Sequence, residues 1–271
     1  MLLLLGMALP KIICIVGPTA TGKTPLAIAL AKKYHGEVIS ADSRQIYRGM
    51  DIGTAKERGE WRAIGGHEAL VVDGIPHYGI DLVTPDEPYT VADFQNYTHL
   101  VIDNITMRKK VPLVVGGTGL YVQAVVDNFI IPQVPPNPGL REKIENVIRE
   151  KGLHKVYIEL LKLDPDAADF ISPQNSRRVI RALEVCLATG KQFSKLKRRG
   201  KRLYNALQIG IDVPRETLYA TINTRTENQV RDGLIAEVRH LLKLYDPSLP
   251  AFSGIGYSDV ICAIRGEIMI E

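Results

Sequence analysis

The sequence has few of the features that mark secreted, metal-stapled or membrane proteins. Its three cysteines, Cys14, Cys186 and Cys262, are scattered over 271 residues without C-x-x-C spacing. This pattern argues against a disulfide framework or a cysteine zinc site and is typical of reduced thiols in a cytosolic protein. No apolar run reaches the length of a membrane-spanning helix, and internal repeats and low-complexity tracts are lacking too. We therefore expect a cytoplasmic globular protein with no membrane partner.

The leucine-rich start of the chain resembles a targeting signal only briefly. Met1–Leu5 is apolar, but no positive residue precedes it, and the apolar stretch ends at Pro10, directly before the first predicted strand. Cleavage nearby would damage that strand. We interpret the segment as a short extension, with Met7 as a candidate start.

Positive charge is concentrated in one segment. The net charge is only +4, yet ten Lys/Arg and a single acid, Glu184, lie between Arg177 and Arg202. That segment therefore carries +9 and the remainder carries −5. A mildly acidic body with one basic segment favours a polyanionic partner larger than a nucleotide, although a solvated helix face and linker would have the same composition.

The strongest motif is GPTATGKT at residues 17–24, which fits G-x-x-x-x-G-K-[ST] without a mismatch. The apolar run Ile12–Val16 before it predicts a buried strand, and Pro25–Lys33 after it predicts a helix. In such a unit backbone N–H groups converge on phosphate, a lysine adds positive charge, and the final hydroxyl is placed to hold Mg²⁺. The motif predicts a di- or triphosphate site made by Gly17, Pro18, Thr19, Ala20, Thr21, Gly22, Lys23 and Thr24, with Thr24 as the metal ligand.

Alternating strand and helix patterns in the first half predict an α/β fold, a P-loop-type parallel sheet flanked by helices. Further strands are predicted at 37–41 and 111–115, with a helix at 91–109. Because ligands bind beyond the carboxyl ends of parallel strands, the P-loop, the segment after Asp42 and the turn at Gly116–Gly119 are expected to line one cleft.

The second half begins with a stiff connector, Ile131–Gly139, which holds four prolines. Only helical patterns follow it, at 139–152, 154–163 and 176–189. Strand character returns at 207–213, and a long helix is predicted at about 215–244. We therefore predict a catalytic core made of 1–131 and 203–271, interrupted by a basic helical insertion domain at 132–202.

Asp42 ends the second predicted strand, nineteen residues after Lys23. Nucleotide hydrolases with this loop usually place a metal-holding aspartate after a later strand, whereas here Gly116 and Gly117 follow that strand. A carboxylate at Asp42 can accept a proton from a nucleophile near the phosphate ligand, a task that small-molecule kinases also need. Ser43, Arg44 and Gln45 extend this acid into a polar cluster able to hydrogen-bond a base, since glutamine pairs bidentately with adenine.

Six ordered blocks that cover nearly the whole chain resemble the tRNA dimethylallyltransferases, the isopentenyl-tRNA transferases. They are 17–24 (GPTATGKT), 40–47 (SADSRQIY), 49–56 (GMDIGTAK), 115–121 (VGGTGLY), 177–184 (RRVIRALE) and 254–257 (GIGY).

The resemblance implies a reaction and a set of site residues. The P-loop would hold the diphosphate of dimethylallyl diphosphate, and the prenyl group would move to the exocyclic amine of the adenosine 3′ to the anticodon, releasing diphosphate. The implied catalytic residues are Asp42 as general base with Lys23, Thr118 and Arg225, and Arg215 is implied at the diphosphate. The implied contacts with the tRNA anticodon stem-loop come from Asp42, Ser43, Arg44, Gln45, Thr118, Arg177, Arg178, Arg181, Gly256 and Tyr257. The implied cofactor is Mg²⁺, and a monomer is expected.

The chain departs from the family pattern in three places. It has Pro76-His77-Tyr78-Gly79 where the family has Pro-His-His and an aliphatic residue, and we assign His77 no role. The preceding segment, 57–75, is longer than the pattern. The family also continues past Gly266 into a basic helix, so we expect either a shortened form or a weaker hold on RNA.

Three other functions stay open at this point. A P-loop kinase of a small metabolite would use Asp42 as its base but leaves the basic segment unexplained. A non-catalytic RNA-binding module with a nucleotide switch would explain the charge but gives Asp42 no task. A prenyltransferase acting on free adenine nucleotides would need no basic segment.

Overall fold

The computed structural model describes residues 9–132, 134–196 and 198–269, without the side chain of Arg198. Met1–Leu5, Met7 and Lys197 therefore lie outside the described residues. The chain divides into two compact units: one joins the residues up to Val126 with those from Arg202 onward, and the other is Asp127–Lys201. The predicted insertion, 132–202, begins a few residues later than this second unit.

Strands and helices alternate through the first part of the chain. The strands of the described residues are β1 Lys11–Val16, β2 Gly36–Ser40, β3 Glu60–Ile64, β4 His67–Val72, β5 Ile75–Tyr78, β6 Val111–Gly116, β7 Phe129–Ile130, β8 Arg198–Arg199 and β9 Asn205–Gly210. The α-helices are α1 Lys23–Tyr34, α2 Val91–Met107, α3 Gly119–Val126, α4 Pro138–Lys151, α5 Leu153–Leu163, α6 Ser176–Thr189, α7 Phe193–Leu196, α8 Arg215–Arg231, α9 Leu234–Leu241 and α10 Tyr257–Ile264. Short 3-10 helices span Pro165–Asp169 and Pro250–Ser253. None of these described helices is long and apolar enough to cross a bilayer.

The larger unit is built on a seven-stranded sheet with the order β3-β4-β5-β2-β6-β1-β9. The strands from β5 to β9 in that order are parallel, which confirms the predicted P-loop-type sheet flanked by helices. Ile15 on β1, Ile39 on β2 and Val114 on β6 are fully buried, as expected for parallel strands covered on both faces. The loops that begin at Gly17, Ala41 and Gly117 therefore leave the sheet at the same edge.

The long segment 57–75 adds antiparallel strands that the sequence analysis did not predict. Glu60 pairs with Val71 and Ile64 with His67, so β3 and β4 form a hairpin at one edge of the sheet. Its turn is made by Gly65 and Gly66, whose φ angles of +61° and +84° lie in the left-handed region that glycine adopts without steric cost. This Gly-Gly pair was the sequence signal for the hairpin.

The single helix predicted at 215–244 is wrong, because it is two helices. α8 ends at Arg231 and α9 begins at Leu234, and Gly233 between them has a φ of +109° that interrupts the right-handed helix. Apolar residues continue on both sides of this glycine, so periodicity alone conceals the break.

In the smaller unit the three predicted helices are present as α4, α5 and α6 around a core that includes Leu160 and Val179. Glu184 is fully buried there and accepts hydrogen bonds from the guanidinium groups of Arg141 and Arg181 at 2.9 and 2.6 Å. Glu184, the single acid of the basic segment 177–202, is therefore paired with one arginine from α4 and one from α6.

Candidate active site

The P-loop folds back on itself at the end of β1. Lys23 Nζ donates to the carbonyl oxygen of Pro18 at 2.5 Å, and Thr21 Oγ1 donates to the same oxygen at 2.9 Å. Gly22 precedes α1 with a φ of +80°, and a Cβ on Gly17 would lie 2.8 Å from the carbonyl oxygen of Ile211. Gly22 is thus required for a left-handed turn, and Gly17 is required for the close approach of two chain segments.

Arg225 reaches the P-loop from α8. Its Nη1 donates to Thr19 Oγ1 at 3.1 Å, which places the guanidinium beside the loop that the motif assigns to phosphate. Burial lowers the pKa of Arg225, and the carboxylates of Asp42 and Glu57 oppose that shift. This contact is where the structure places a residue that the resemblance implies to be catalytic.

Lys23, Arg225 and Asp42 share one electrostatic environment. Burial lowers the pKa of Lys23, the Asp42 carboxylate raises it, and the Arg225 guanidinium lowers it again. Two cations kept close together in a partly desolvated place are stabilised by an anion between them. A diphosphate would supply that charge.

The Asp42 loop and the Thr118 loop are joined by direct hydrogen bonds. The N–H of Ser43 donates to Thr118 Oγ1 at 3.0 Å, and Thr118 Oγ1 lies 3.3 Å from Ser43 Oγ. The N–H of Thr118 donates to the carbonyl of Ala41 at 3.1 Å. Asp42 itself is oriented by the N–H of Arg44, which donates to Oδ1 at 2.8 Å.

One cavity at the carboxyl edge of the sheet is lined by residues of the P-loop, of the segment around Asp42 and of the turn that begins at Gly116, the three segments expected to share a cleft. Arg225 and Thr118 are not among its lining residues. Two residues that sequence reasoning left without a role, Glu57 and His77, also line it. His77 Nδ1 lies 2.9 Å from the carbonyl oxygen of Ile75. Burial lowers the pKa of His77 despite the backbone carbonyls that favour its protonation. The lining residues are Lys23, Thr24, Val38, Ser40, Asp42, Gln45, Glu57, His77, Ile80, Val115 and Gly116.

The sequence profile of the IPP transferase family matches residues 45–271, and that of isopentenyl transferase matches residues 10–60. The chain belongs to the IPP transferase family. It is 41% identical to the tRNA dimethylallyltransferase of Thermomicrobium roseum over 96% of this chain and 76% of that protein. It is 43% identical to the enzyme of the same name from Halothermothrix orenii, over 94% of this chain and 76% of that one.

Two solved structures share the fold of this IPP transferase. The full-length tRNA isopentenylpyrophosphate transferase of Bacillus halodurans is 39% identical, with a TM-score of 0.65 over 96% of this chain and 79% of that one. A eukaryotic dimethylallyltransferase crystallised acting on tRNA is 26% identical, with a TM-score of 0.72 over 95% and 64% of the two chains.

Two of the residues expected to face RNA are engaged within the transferase itself. Arg44 Nη1 donates to the carbonyl of Pro250 at 2.7 Å, and Arg44 Nη2 lies 3.0 Å from Ser253 Oγ. Gln45 Nε2 donates to the carbonyl of Thr54 at 3.2 Å. A guanidinium has five N–H groups and an amide oxygen has two lone pairs, so these contacts orient both side chains and leave hydrogen-bonding capacity for RNA.

Tyr257 is placed differently from the expectation. Its side chain is 1% exposed, and its hydroxyl donates to Glu237 Oε1 at 2.5 Å. Burial raises the pKa of Tyr257, and Glu237 raises it further. The ring therefore belongs to the core and offers no surface to RNA, which leaves Gly256, with a φ of +88°, as the outer residue of this pair.

The arginines expected to contact phosphate differ in whether their guanidinium groups are exposed or bound within the protein. Arg177 and Arg178 are exposed at the start of α6, whereas Arg181 is held by Glu184 and the carbonyl of Val134. Arg215 is exposed on α8, with its guanidinium 5.7 Å from the centre of the Tyr219 ring. Arg177 and Arg178 thus remain the better candidates for phosphate contacts in the smaller unit.

Proposed function

We propose that this chain transfers the dimethylallyl group of dimethylallyl diphosphate to the exocyclic amine of the adenosine 3′-adjacent to the anticodon in tRNA. The observation that carries the proposal is the single cavity lined by both the P-loop residues Lys23 and Thr24 and the strand-end acid Asp42. Relatives about 40% identical over most of the chain are named for this reaction.

The P-loop side of the cavity suits the leaving group. When the carbon–oxygen bond of the donor breaks, both bonding electrons leave with diphosphate, so negative charge grows on its oxygens. Lys23 and Arg225, with the backbone N–H groups of the loop, lie where that charge develops and stabilise it. A contact of Arg215 with the same diphosphate is proposed from the family resemblance alone.

Thr24 fits a magnesium ion that arrives with the diphosphate. Mg²⁺ keeps several waters and usually takes one or two protein oxygens plus phosphate oxygens, and the Thr24 hydroxyl lines the cavity beside Lys23. No cluster of three or more His, Cys, Asp or Glu suited to a metal occurs among the described residues. When bound, the ion would neutralise part of the charge on the departing diphosphate.

Asp42 supplies the base. As the adenine nitrogen forms its bond to the prenyl carbon, it must lose a proton, and the Asp42 carboxylate can take it. The N–H of Arg44 holds Oδ1 at 2.8 Å, which leaves Oδ2 for the amine. The hydroxyl of Thr118 accepts the N–H of Ser43, the residue after Asp42, and so belongs to the adjoining loop. General-base catalysis of this kind contributes about 10²- to 10⁴-fold to the rate.

We place the anticodon stem-loop on the basic segment that begins at Arg177. An adenine reaches a recessed carboxylate only when it is splayed out of its stack, and phosphate contacts hold the loop while this happens. We propose a monomer, since one chain carries all the described residues that line the cavity. We propose a cytoplasmic location from the three scattered cysteines.

The test is a transfer assay with labelled dimethylallyl diphosphate and Mg²⁺, in which tRNA, AMP and a phosphotransfer reaction from ATP are compared. Label in tRNA supports the proposal, while label in AMP or phosphate transfer from ATP supports a rival. Asp42→Asn keeps the shape and the hydrogen bond from Arg44, and is expected to lower kcat about 10²- to 10⁴-fold with tRNA affinity retained. Asp103→Asn, a change at an exposed acid on α2, is the control. Near-normal turnover by the Asp42 variant would refute the assigned base.

A further inference from the structure

Glu237 on α9 accepts an unusual set of hydrogen bonds. Its Oε2 accepts the backbone N–H groups of Asp51 at 3.0 Å and Ile52 at 2.7 Å, and its Oε1 accepts that of Gly53 at 3.2 Å. The Tyr257 hydroxyl also donates to Oε1. Successive backbone N–H groups that converge on one anion form a nest, and here the chain supplies the anion itself.

The backbone carbonyl groups of Ile52 and Gly53 also take part in hydrogen bonds, as acceptors. Gln229 Nε2, on α8, donates to the carbonyl oxygens of Ile52 at 2.7 Å and Gly53 at 3.1 Å. A Cβ on Gly53 would lie 2.4 Å from the Tyr257 ring, so the loop sits directly against α10. Residues 51–55, which we call the brace loop, are thus fixed by α8, α9 and α10. The brace loop lies within the block GMDIGTAK at residues 49–56, for which the resemblance implies no role.

The brace loop in turn orients a side chain of the cavity. Gln45 Nε2 donates to the carbonyl oxygens of Thr54 at 3.2 Å and Ala55 at 3.5 Å, while Gln45 Oε1 accepts from Ser40 Oγ at 2.8 Å. Gln45 and Ser40 line the cavity together with Asp42. The position of the loop therefore sets which way the Gln45 amide presents its donor and acceptor.

We infer that Glu237 is a positioning residue that fixes the brace loop and, through it, Gln45 for recognition of the acceptor adenine. Glu237 acts through the loop and does not touch the substrate. The inference rests on the proposed function, because it gives Gln45 a base to recognise. Hydrogen bonds from several N–H groups to one carboxylate are strong enough for their loss to change binding measurably.

Glu237→Gln is the sharpest test, because it keeps the side-chain volume but turns one acceptor oxygen into a donor that faces N–H groups. We expect KM for tRNA to rise about 10- to 100-fold while KM for dimethylallyl diphosphate stays unchanged. The amides of residues 51–53 should exchange their hydrogens faster. Glu227→Gln, at an exposed position on α8, is the matched control and should behave as wild type.

A double-mutant cycle separates positioning from general destabilisation. In a Gln45→Ala background, Glu237→Gln should add little to KM for tRNA, because both changes act through one amide. Full additivity, or an equal rise in KM for both substrates, would overturn the inference. Should Glu237→Gln fail to fold, Tyr257→Phe removes one hydrogen bond only and should shift KM for tRNA in the same direction, by less. Absence of transfer by the wild type refutes the proposed function instead, and unchanged amide exchange at 51–53 in the Glu237 variant refutes the brace alone.

Discussion

Gly116 sets the distance between the two loops that carry the proposed catalytic groups. A Cβ added to it would lie 2.1 Å from the carbonyl oxygen of Ala41 and 2.3 Å from its carbonyl carbon. The atoms in the way are backbone, so no side chain can rotate aside. Gly116→Ala must therefore push the end of β6 away from the end of β2.

The size of the shift follows from the same distances. The gap to the Ala41 oxygen must widen from 2.1 Å to at least 3.0 Å, a displacement of 0.9 Å. Ala41 precedes Asp42, and its oxygen accepts the N–H of Thr118, so Asp42 and Thr118 move apart by a similar amount. A misplacement of about 1 Å at reacting groups costs about 100-fold in rate, or about 2.7 kcal/mol in the activation barrier. The crowding itself should lower the free energy of unfolding by about 1–3 kcal/mol.

The neighbouring glycine provides the control. A Cβ on Gly117 would meet only the carbonyl oxygen of Gly17, at an ordinary 3.7 Å, so Gly117→Ala should fold and turn over almost as wild type does. Both variants are assayed for prenyl transfer to tRNA at saturating dimethylallyl diphosphate, with the folded fraction measured on the same samples. A folded Gly116→Ala enzyme as active as Gly117→Ala would refute the argument that this close approach positions the reacting groups.

Two predictions concern stability. Glu184→Ala should lower the free energy of unfolding by about 3 kcal/mol in denaturant titrations, because it leaves the guanidinium groups of Arg141 and Arg181 without their buried partner. A loss below about 1 kcal/mol would show that water solvates those guanidinium groups fully in the variant. Burial lowers the pKa of His77 from the ordinary 6.5, so below pH 6.5 the unfolded chain binds the proton that the folded chain excludes. Stability should therefore fall as the pH drops from 6.5 toward the folded pKa, and His77→Asn should make that slope shallower by up to about 1.4 kcal/mol per pH unit. An unchanged slope in His77→Asn would show that His77 titrates alike in both states.

The parts of the site that sequence reasoning located are those with local signals. Lys23 and Thr24 follow a glycine loop between an apolar strand and a helix, and Asp42 stands where a second strand ends. Such patterns are set within about ten residues, and the rule for parallel sheets then brings the strand ends together. The cavity that joins them could be predicted for this reason.

The contacts that sequence reasoning could not foresee depend on partners far away in the chain. Arg44 is bound by carbonyls more than 200 residues later, and Tyr257 is buried against Glu237 and the loop around Gly53. A single sequence contains no periodicity or spacing that pairs such distant segments. An arginine or tyrosine in a motif is therefore interpreted as a ligand contact. The 57–75 hairpin is different, because its Gly65-Gly66 turn is a local signal from which a hairpin can be predicted.

The close approach of Gly116 to the backbone of Ala41 helps to explain why this P-loop serves alkyl transfer. Nucleotide hydrolases hold their metal with an aspartate at the end of a neighbouring strand, and the equivalent place here is the end of β6. Gly116 occupies it, and even a Cβ there would overlap the backbone of Ala41, so no carboxylate can stand at that point. The acid of the cavity is carried instead by Asp42, in the loop after β2, which is one strand further from the P-loop because β6 lies between β1 and β2. A base at this displaced position is suited to a nucleophile that approaches from beyond the diphosphate, as an extruded adenine would. It is less suited to hold a metal against the phosphates. Gly116 thus lets the Thr118 loop lie against the Asp42 loop and leaves no room for a metal-holding carboxylate at its own position.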